Sequence, residues 1–261
     1  MFRLLLLFSM IILITACATS PTGRTQLTLF SEQTLAREGA SAFAEIKSKL
    51  PASGNTRIRE YVTCVADTLL ESMGENPSRW EIAVFADKKR NAFALPGKKI
   101  GVYEGILQAA TNQHMLAAVI GHEIAHVRAR HGNERVSAST VGNLTLTGIR
   151  IAGSGSGPQG AGLNPRILSA IGMGIEYGIL MPYSRSHESE ADLMGLKIMA
   201  RAGFDPKQSV LLWRNMAKLS GAAPPEFLST HPSSKTRIHD LKKAVPFVMP
   251  LYRAVRKRPE C

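Results

Sequence analysis

The chain has 261 residues, of which 44% are hydrophobic and 20% charged, so it can bury a core and wholesale disorder is excluded. Lys and Arg total 32 against 20 Asp and Glu, a net charge of +12, yet aromatics are only 6% and nowhere interleave with basic residues, which argues against nucleic acid as a partner. The excess gathers at Lys242, Lys243, Arg253, Arg256, Lys257 and Arg258, a solvated basic tail or one lying near an anionic membrane surface.

Met1 to Cys17 reads MFRLLLLFSMIILITAC, with one early positive charge, Arg3, before an apolar run from Leu4 to Ile14 broken only by Ser9. The run is too short for the roughly 20 residues of a spanning helix. It has the form of a secretory signal core leading to small residues. The string Ile14-Thr15-Ala16-Cys17 resembles a bacterial lipobox, which implies a signal peptide over 1–16, lipidation at Cys17 and a lipid-anchored linker over 17–30. Ala18, in place of Asp, further implies sorting to the outer membrane of a two-membraned bacterium, facing the periplasm. Three cysteines are too few for a disulfide scaffold, but in an oxidising compartment Cys64 and Cys261 form a candidate pair.

Ser31 reads as the N-cap of a helix ending before Pro51, and a second helical pattern runs from Thr56 to Met73, stopped by Gly74 and Pro77. Trp80–Phe85, Asn91–Leu95 and Lys99–Tyr103 read as three short strands joined by turn-like DKKR and PGKK pieces. From Glu104 helical periodicity dominates, with one long helix expected from Gln113 to Arg135. GSGSGPQGAG at 153–162 is a low-complexity loop that follows no strand and lacks a G-K-[ST] ending, so it is not a phosphate loop. Ile167–Met181 is apolar but interrupted by Glu176 and glycines, and too short to span a bilayer. The region 137–183 is therefore either a flap over a cleft or a plain loop. A helix from Ser186 to Ala202 ends at Gly203, and Asp205-Pro206 opens the next. Helices, a small strand cluster, then helices make an α+β domain over 31–261, without internal repeats.

The strongest chemical signal is Gly121-His122-Glu123-Ile124-Ala125-His126. Residues four apart share a helix face, so His122 and His126 can aim two imidazoles at one point, a spacing suited to zinc. Glu123 lies one step around the helix, beside the metal, where it can take a proton from bound water. Met115, Val119, His122 and His126 form one stripe, so both histidines face inward, where unpartnered imidazoles are costly to bury. A third ligand has to come from elsewhere. In Ser184-Arg185-Ser186-His187-Glu188-Ser189-Glu190-Ala191-Asp192, Glu188 and Asp192 share a face: Glu188 would bind the metal and Asp192 would hold the far nitrogen of a ligating histidine. Glu190 and His187 are the alternatives. Gly195 continues that face without a side chain, which lets two helices approach closely.

HEIAHVRARHGNER, followed downstream by ESEAD, resembles the gluzincin family of CAAX-prenyl-protease, HtpX-like and LoiP-like metallopeptidases, and within it the soluble, lipid-anchored branch typified by LoiP. PTGRTQLTLFSEQ, NAFALPGKKIGVYEGIL and STHPSSKTRI extend the resemblance over nearly all of the chain beyond Cys17. It implies a mainly helical zincin-type domain with a small three-stranded sheet and one zinc ion on His122, His126 and Glu188, with Glu123 as general base. It also implies that the strand Asn91-Ala92-Phe93-Ala94 pairs with substrate backbone, and that His231 and Arg237 act near the reacting carbonyl, where a donor could stabilise the oxyanion.

The expected function is a zinc-dependent endopeptidase cleaving misfolded or damaged envelope proteins. Two other classes remain open. One is an outer-membrane assembly chaperone whose zinc site is kept latent by a loop; the other is a zinc hydrolase of a non-protein substrate such as peptidoglycan.

Overall fold

A computed structural model describes residues 17–154, 183–219, 231 and 235–261, with the backbone alone for Cys17 and 143–154. The signal segment, the apolar stretch Ile167–Met181 and most of the glycine-rich loop lie outside the described residues.

Where a linker is expected, Cys17–Thr19 (β1) and Thr25–Leu27 (β2) pair as an antiparallel hairpin. Its turn closes through Gly23, whose φ of 92° suits a residue without Cβ. Helix α1 (Glu32–Lys49) is capped by Ser31, whose side chain accepts from the Thr34 N–H, and α2 (Thr56–Glu71) is capped in the same way by Asn55.

The sheet holds β3 (Glu81–Phe85), β4 (Ala92–Leu95) and β5 (Lys99–Tyr103) in the order β3-β5-β4, with β3 parallel and β4 antiparallel to the central β5. β3 has its outer edge touched by Ala52 in an antiparallel bridge, while β4 forms the other edge. Phe43, Phe85, Phe93 and Tyr103 pack as an aromatic cluster against one face of the sheet. Gly101 is required there: a Cβ at that position would lie 2.2 Å from the Phe93 ring.

Helix α3 (Gln113–Arg128) is the centre of the molecule, and every residue from Met115 to His126 is buried. α2, β4, α5 (Arg185–Arg201) and α6 (Lys207–Lys218) surround it, and α7 (Lys235–Ala254) closes over α5 and α6. A helix apolar on all sides can only be a core helix in water, which explains why the sequence around the two histidines carries no polar face.

One helix departs from its expected course, and another has no counterpart among the expected elements. The helix expected to run unbroken to Arg135 stops at Arg128, and α4 (His131–Ser154) starts afresh after Arg130, which takes a left-handed φ of 55°. Neither Gly nor Pro marks the break. The carbonyl it exposes, on Ala129, is satisfied by the Gln26 side chain of β2 at 2.6 Å, a long-range contact that local pattern cannot reveal. α7 runs through Pro246 and Pro250, residues that argue against a helix. Both prolines face solvent, while Arg237, Leu241, Val245 and Val248 form the buried stripe at helical spacing.

The C-terminus folds back on the core. Cys64 of α2 and Cys261 are joined by a disulfide with Cα atoms 5.7 Å apart, and Gln113, at the start of α3, bonds the Pro259 carbonyl and the Cys261 N–H. Lys242, Lys243, Arg253, Arg256 and Lys257 are exposed, whereas Arg258 is half-buried and lies over the Tyr252 ring. Among the described residues no helix is long and apolar enough to cross a membrane.

Candidate metal centre

Two glycines bring the site together. A Cβ on Gly195 would lie 2.9 Å from the His122 nitrogen, and one on Gly121 would lie 3.3 Å from the Gly195 carbonyl oxygen, so α3 and α5 touch backbone to backbone. That contact sets the first turn of α5, opened by its Ser184 cap, against the histidine stripe of α3.

Donor atoms of His122, His126, Glu188 and His231, all buried, lie within 4.8 Å of one another. His122 Nε2 and His126 Nε2 are 3.0 Å apart, His122 Nε2 is 3.5 Å from Glu188 Oε2, and His126 Nε2 is 3.4 Å from Glu188 Oε1. Donors at about 2.0–2.1 Å from a tetrahedral zinc ion are about 3.3 Å from each other, so these are the edges of a ligand tetrahedron. The set of imidazoles and one carboxylate suits zinc chemically, and three close-packed buried imidazoles without a cation would be left competing for protons. The residues fit the ion.

His122, His126 and Glu188 leave a fourth vertex, and His231 fills it. His231 Nδ1 lies 3.2 Å from His122 Nε2 and 3.0 Å from Glu188 Oε1, the same spacing as the other donors. His231 Nε2 is 3.4 Å from Glu123 Oε1. Glu123 is 1% exposed, and its Oε1 makes no hydrogen bond among the described residues. Burial, chiefly, pushes its carboxyl above the usual carboxylate range.

Asp192 Oδ1 lies 3.1 Å from His122 Nδ1, one turn beyond Glu188 on the same face. Arg237, which the resemblance puts near the reacting carbonyl, directs its guanidinium at two carboxylates. Its Nε and Nη2 donate to Asp192 at 2.7 Å each, and Nη1 is 2.5 Å from Glu188 Oε2. Trp213 backs the guanidinium at 4.0 Å. Burial alone would lower the His122 pKa in the metal-free site, but the Asp192 and Glu188 carboxylates outweigh it and raise it to about 9. His126 is pushed well below its ordinary value, mainly by burial. Burial raises the Glu188 carboxyl, yet the facing histidines bring it well below the usual range and keep it ionised.

The strand residues lie beside the site. Asn91 and Ala92 are fully buried, Phe93 faces the aromatic cluster, and the Ala94 backbone bonds Glu123. Ala94, Leu95, His126, Arg135 and Tyr183 line one cleft on this side of the sheet. No spacing in the sequence links Tyr183 to the HExxH motif. The Tyr183 ring stacks on His126 with centroids 4.0 Å apart. Of the two alternative ligands, Glu190 points away from the cluster to Arg24 and Thr22, and His187 pairs with Glu134 at 3.0 Å.

A family model described as peptidase family M48 matches residues 55–245, a span that holds all four converging residues, Glu123 and the whole sheet. The chain belongs to peptidase family M48. Its matched region is a metalloendopeptidase domain. The chain is similar to the mitochondrial metalloendopeptidase OMA1 of Schizosaccharomyces pombe, 34% identical over 221 residues that cover 80% of this chain and 60% of that protein. It is similar to the mitochondrial metalloendopeptidase OMA1 of Danio rerio, 33% identical over 246 residues, covering 88% of this chain and 50% of that one. It is also similar to the beta-barrel assembly-enhancing protease of Yersinia pestis, 26% identical over 207 residues, covering 76% of this chain and 41% of that one. The M48 chain thus spans about half the length of these curated relatives.

Proposed function

We propose that this M48 chain is a zinc-dependent endopeptidase of the bacterial envelope, acting on unfolded or damaged polypeptide. One observation carries the reading: His122, His126 and Glu188 set their donor atoms at ligand spacing, with the buried Glu123 carboxylate beside them. His122, His126 and Glu188 would hold a zinc ion, which would supply Lewis-acid polarisation of a peptide carbonyl and make water at the site more acidic.

The chain's own groups do the rest. Glu123 takes a proton from water at a carboxylate oxygen and passes it to the leaving amine; its raised pKa suits both steps. Asp192 holds the far nitrogen of His122, and Arg237 fixes the two carboxylates Asp192 and Glu188. β4, at the sheet edge with Ala94 against Glu123, accepts substrate backbone through Ala92, Phe93 and Ala94, a mode that reads main chain more than side chains, while the Asn91 main chain is bonded to Lys89 and Tyr103 and anchors the strand's start.

Cleavage of unfolded casein tests the reading. Wild type should be active, inactive after chelation and restored by zinc, while Glu123→Gln should lose at least about 100-fold with its zinc content unchanged. Activity of Glu123→Gln at the wild-type rate would contradict it.

A specific observation favours a resting state closed by His231, whose Nδ1 occupies the remaining vertex. In that state the site is latent until His231 moves aside. His231→Ala should then raise basal casein cleavage at unchanged zinc content; a fall would instead support a donor role at the reacting carbonyl.

Placement in the envelope rests on the signal-like segment with Cys17 as lipid anchor and on the Cys64–Cys261 bridge, which suits an oxidising compartment. Similarity to the beta-barrel assembly-enhancing protease of Yersinia pestis is compatible with that placement and makes beta-barrel assembly machinery of the outer membrane the partner we propose. A chain facing the periplasm from the outer membrane would carry labelled palmitate at Cys17 and lose it in Cys17→Ala.

A further inference from the structure

The two histidines of α3 are supported differently. His122 Nδ1 meets a carboxylate directly, Asp192 at 3.1 Å, whereas His126 Nδ1 lies 2.9 Å from Nδ1 of another histidine, His131. His131 is fully buried at the start of α4, and the left-handed Arg130 is what turns it back to face His126. Its second nitrogen, Nε2, is 3.2 Å from Glu190 Oε2.

Two imidazole nitrogens at that distance bond only if one donates and the other accepts. With Nε2 of His126 turned to the converging donors, its proton sits on Nδ1 and is donated to His131 Nδ1. His131 then carries its own proton on Nε2 and donates it to Glu190. The Glu190 carboxylate is held from the other side: Thr22 Oγ1 donates to Oε1 at 2.6 Å and Arg24 Nε to Oε2 at 2.9 Å. Arg24, in the turn of the N-terminal hairpin, is fixed in turn by both oxygens of Glu134 at 2.6 and 2.7 Å.

We propose that His131 is a positioning residue for His126, relaying the His126 Nδ1 proton bond onto Glu190 and so fixing the ring that aims Nε2 at the metal. The proposal rests on the zinc reading above. It gives α5 three carboxylates with three tasks: Glu188 faces the metal, Asp192 steadies His122, and Glu190 steadies His126 through the inserted imidazole. It also ties the N-terminal hairpin, through Arg24, to the orientation of a ligand.

The test measures zinc affinity of the full chain by competition with a chromophoric chelator, and the visible spectrum of the cobalt-substituted protein. Wild type, His131→Leu, His131→Asn and Glu190→Gln are compared. His131→Leu should bind zinc about 10–100-fold more weakly and change the cobalt bands, as loss of a ligand's hydrogen-bond partner does. His131→Asn, whose side-chain oxygen can accept in place of Nδ1, should recover most of both. Should His131→Leu fail to fold, Glu190→Gln decides, with weakening of the same sign and a few-fold in size. Wild-type affinity and spectrum in the deciding variant would overturn the proposal, and so would equal loss in the Leu and Asn variants. A wild type that takes up no zinc would overturn the metal reading itself, a result separate from either.

Discussion

Glu123 and the pair His122–His126 are legible in the sequence because a helix fixes their mutual geometry: four residues make one turn, and nothing distant can alter that. Glu188 and Asp192 follow by the same rule on a second helix. His231 and Arg237 do not, because their contacts depend on how α7 packs on the core and on the long-range placement of His231, which no local spacing encodes. The same buried groups set the pH dependence of the metal-free protein. His131, pushed down to about 4 mainly by burial, binds no proton where an unfolded histidine does, so its stabilisation is lost as pH falls from about 6.5 to about 4. Burial raises the Glu190 carboxyl, but hydrogen bonds from Ser20, Thr22, His131 and Arg24 bring it to about 2, and its stabilisation is lost as pH falls from about 4.5 to about 2. His122, raised to about 9, acts oppositely: its contribution is full below about 6.5 and lost as pH rises through 9. Thermal melts with chelator present should therefore peak near neutral pH and fall on both sides; a melting temperature still rising at pH 4 would contradict these assignments.

At the scale of elements, the contact between α3 and α5 decides whether a site exists. Gly195→Ala should push the helices apart, costing about 1–3 kcal/mol by overpacking and weakening zinc binding in parallel. Denaturant melts and chelator competition on the same variant check both effects, and full retention of zinc affinity would show that the close approach is not needed. Strand and helix positions over residues 31–128 are readable because caps and breakers mark them: Ser31 and Asn55 cap α1 and α2 at or beside the expected starts. The break at Arg130 was not readable, since a tertiary bond from Gln26 stabilises it, and α7 was not, since its prolines sit on the solvent side, where the lost N–H groups cost little.

For the molecule as a whole, the C-terminal tail is tied across 197 residues to α2 by the Cys64–Cys261 bridge, while Gln113 fastens the same tail to the first turn of the metal helix. Long closed loops restrict the unfolded chain most, so reduction should cost about 2–4 kcal/mol and lower Tm by roughly 5–15 °C. Zinc content at ambient temperature should not change, because no ligand lies in the tail. Scanning calorimetry with and without reductant, alongside metal analysis, checks this, and an unchanged Tm would show that the core holds the tail unaided. The α+β class and a helical majority follow from the order of patterns along the chain. The closing of a fourth donor over the site follows only from the assembled molecule. The most direct measurement is anomalous diffraction at the zinc absorption edge from crystals of the purified protein. One peak is expected within about 2.0–2.2 Å of donor atoms on His122, His126 and Glu188; crystals grown with zinc that show no such peak, or show it away from these residues, would contradict a zinc site at the three ligands.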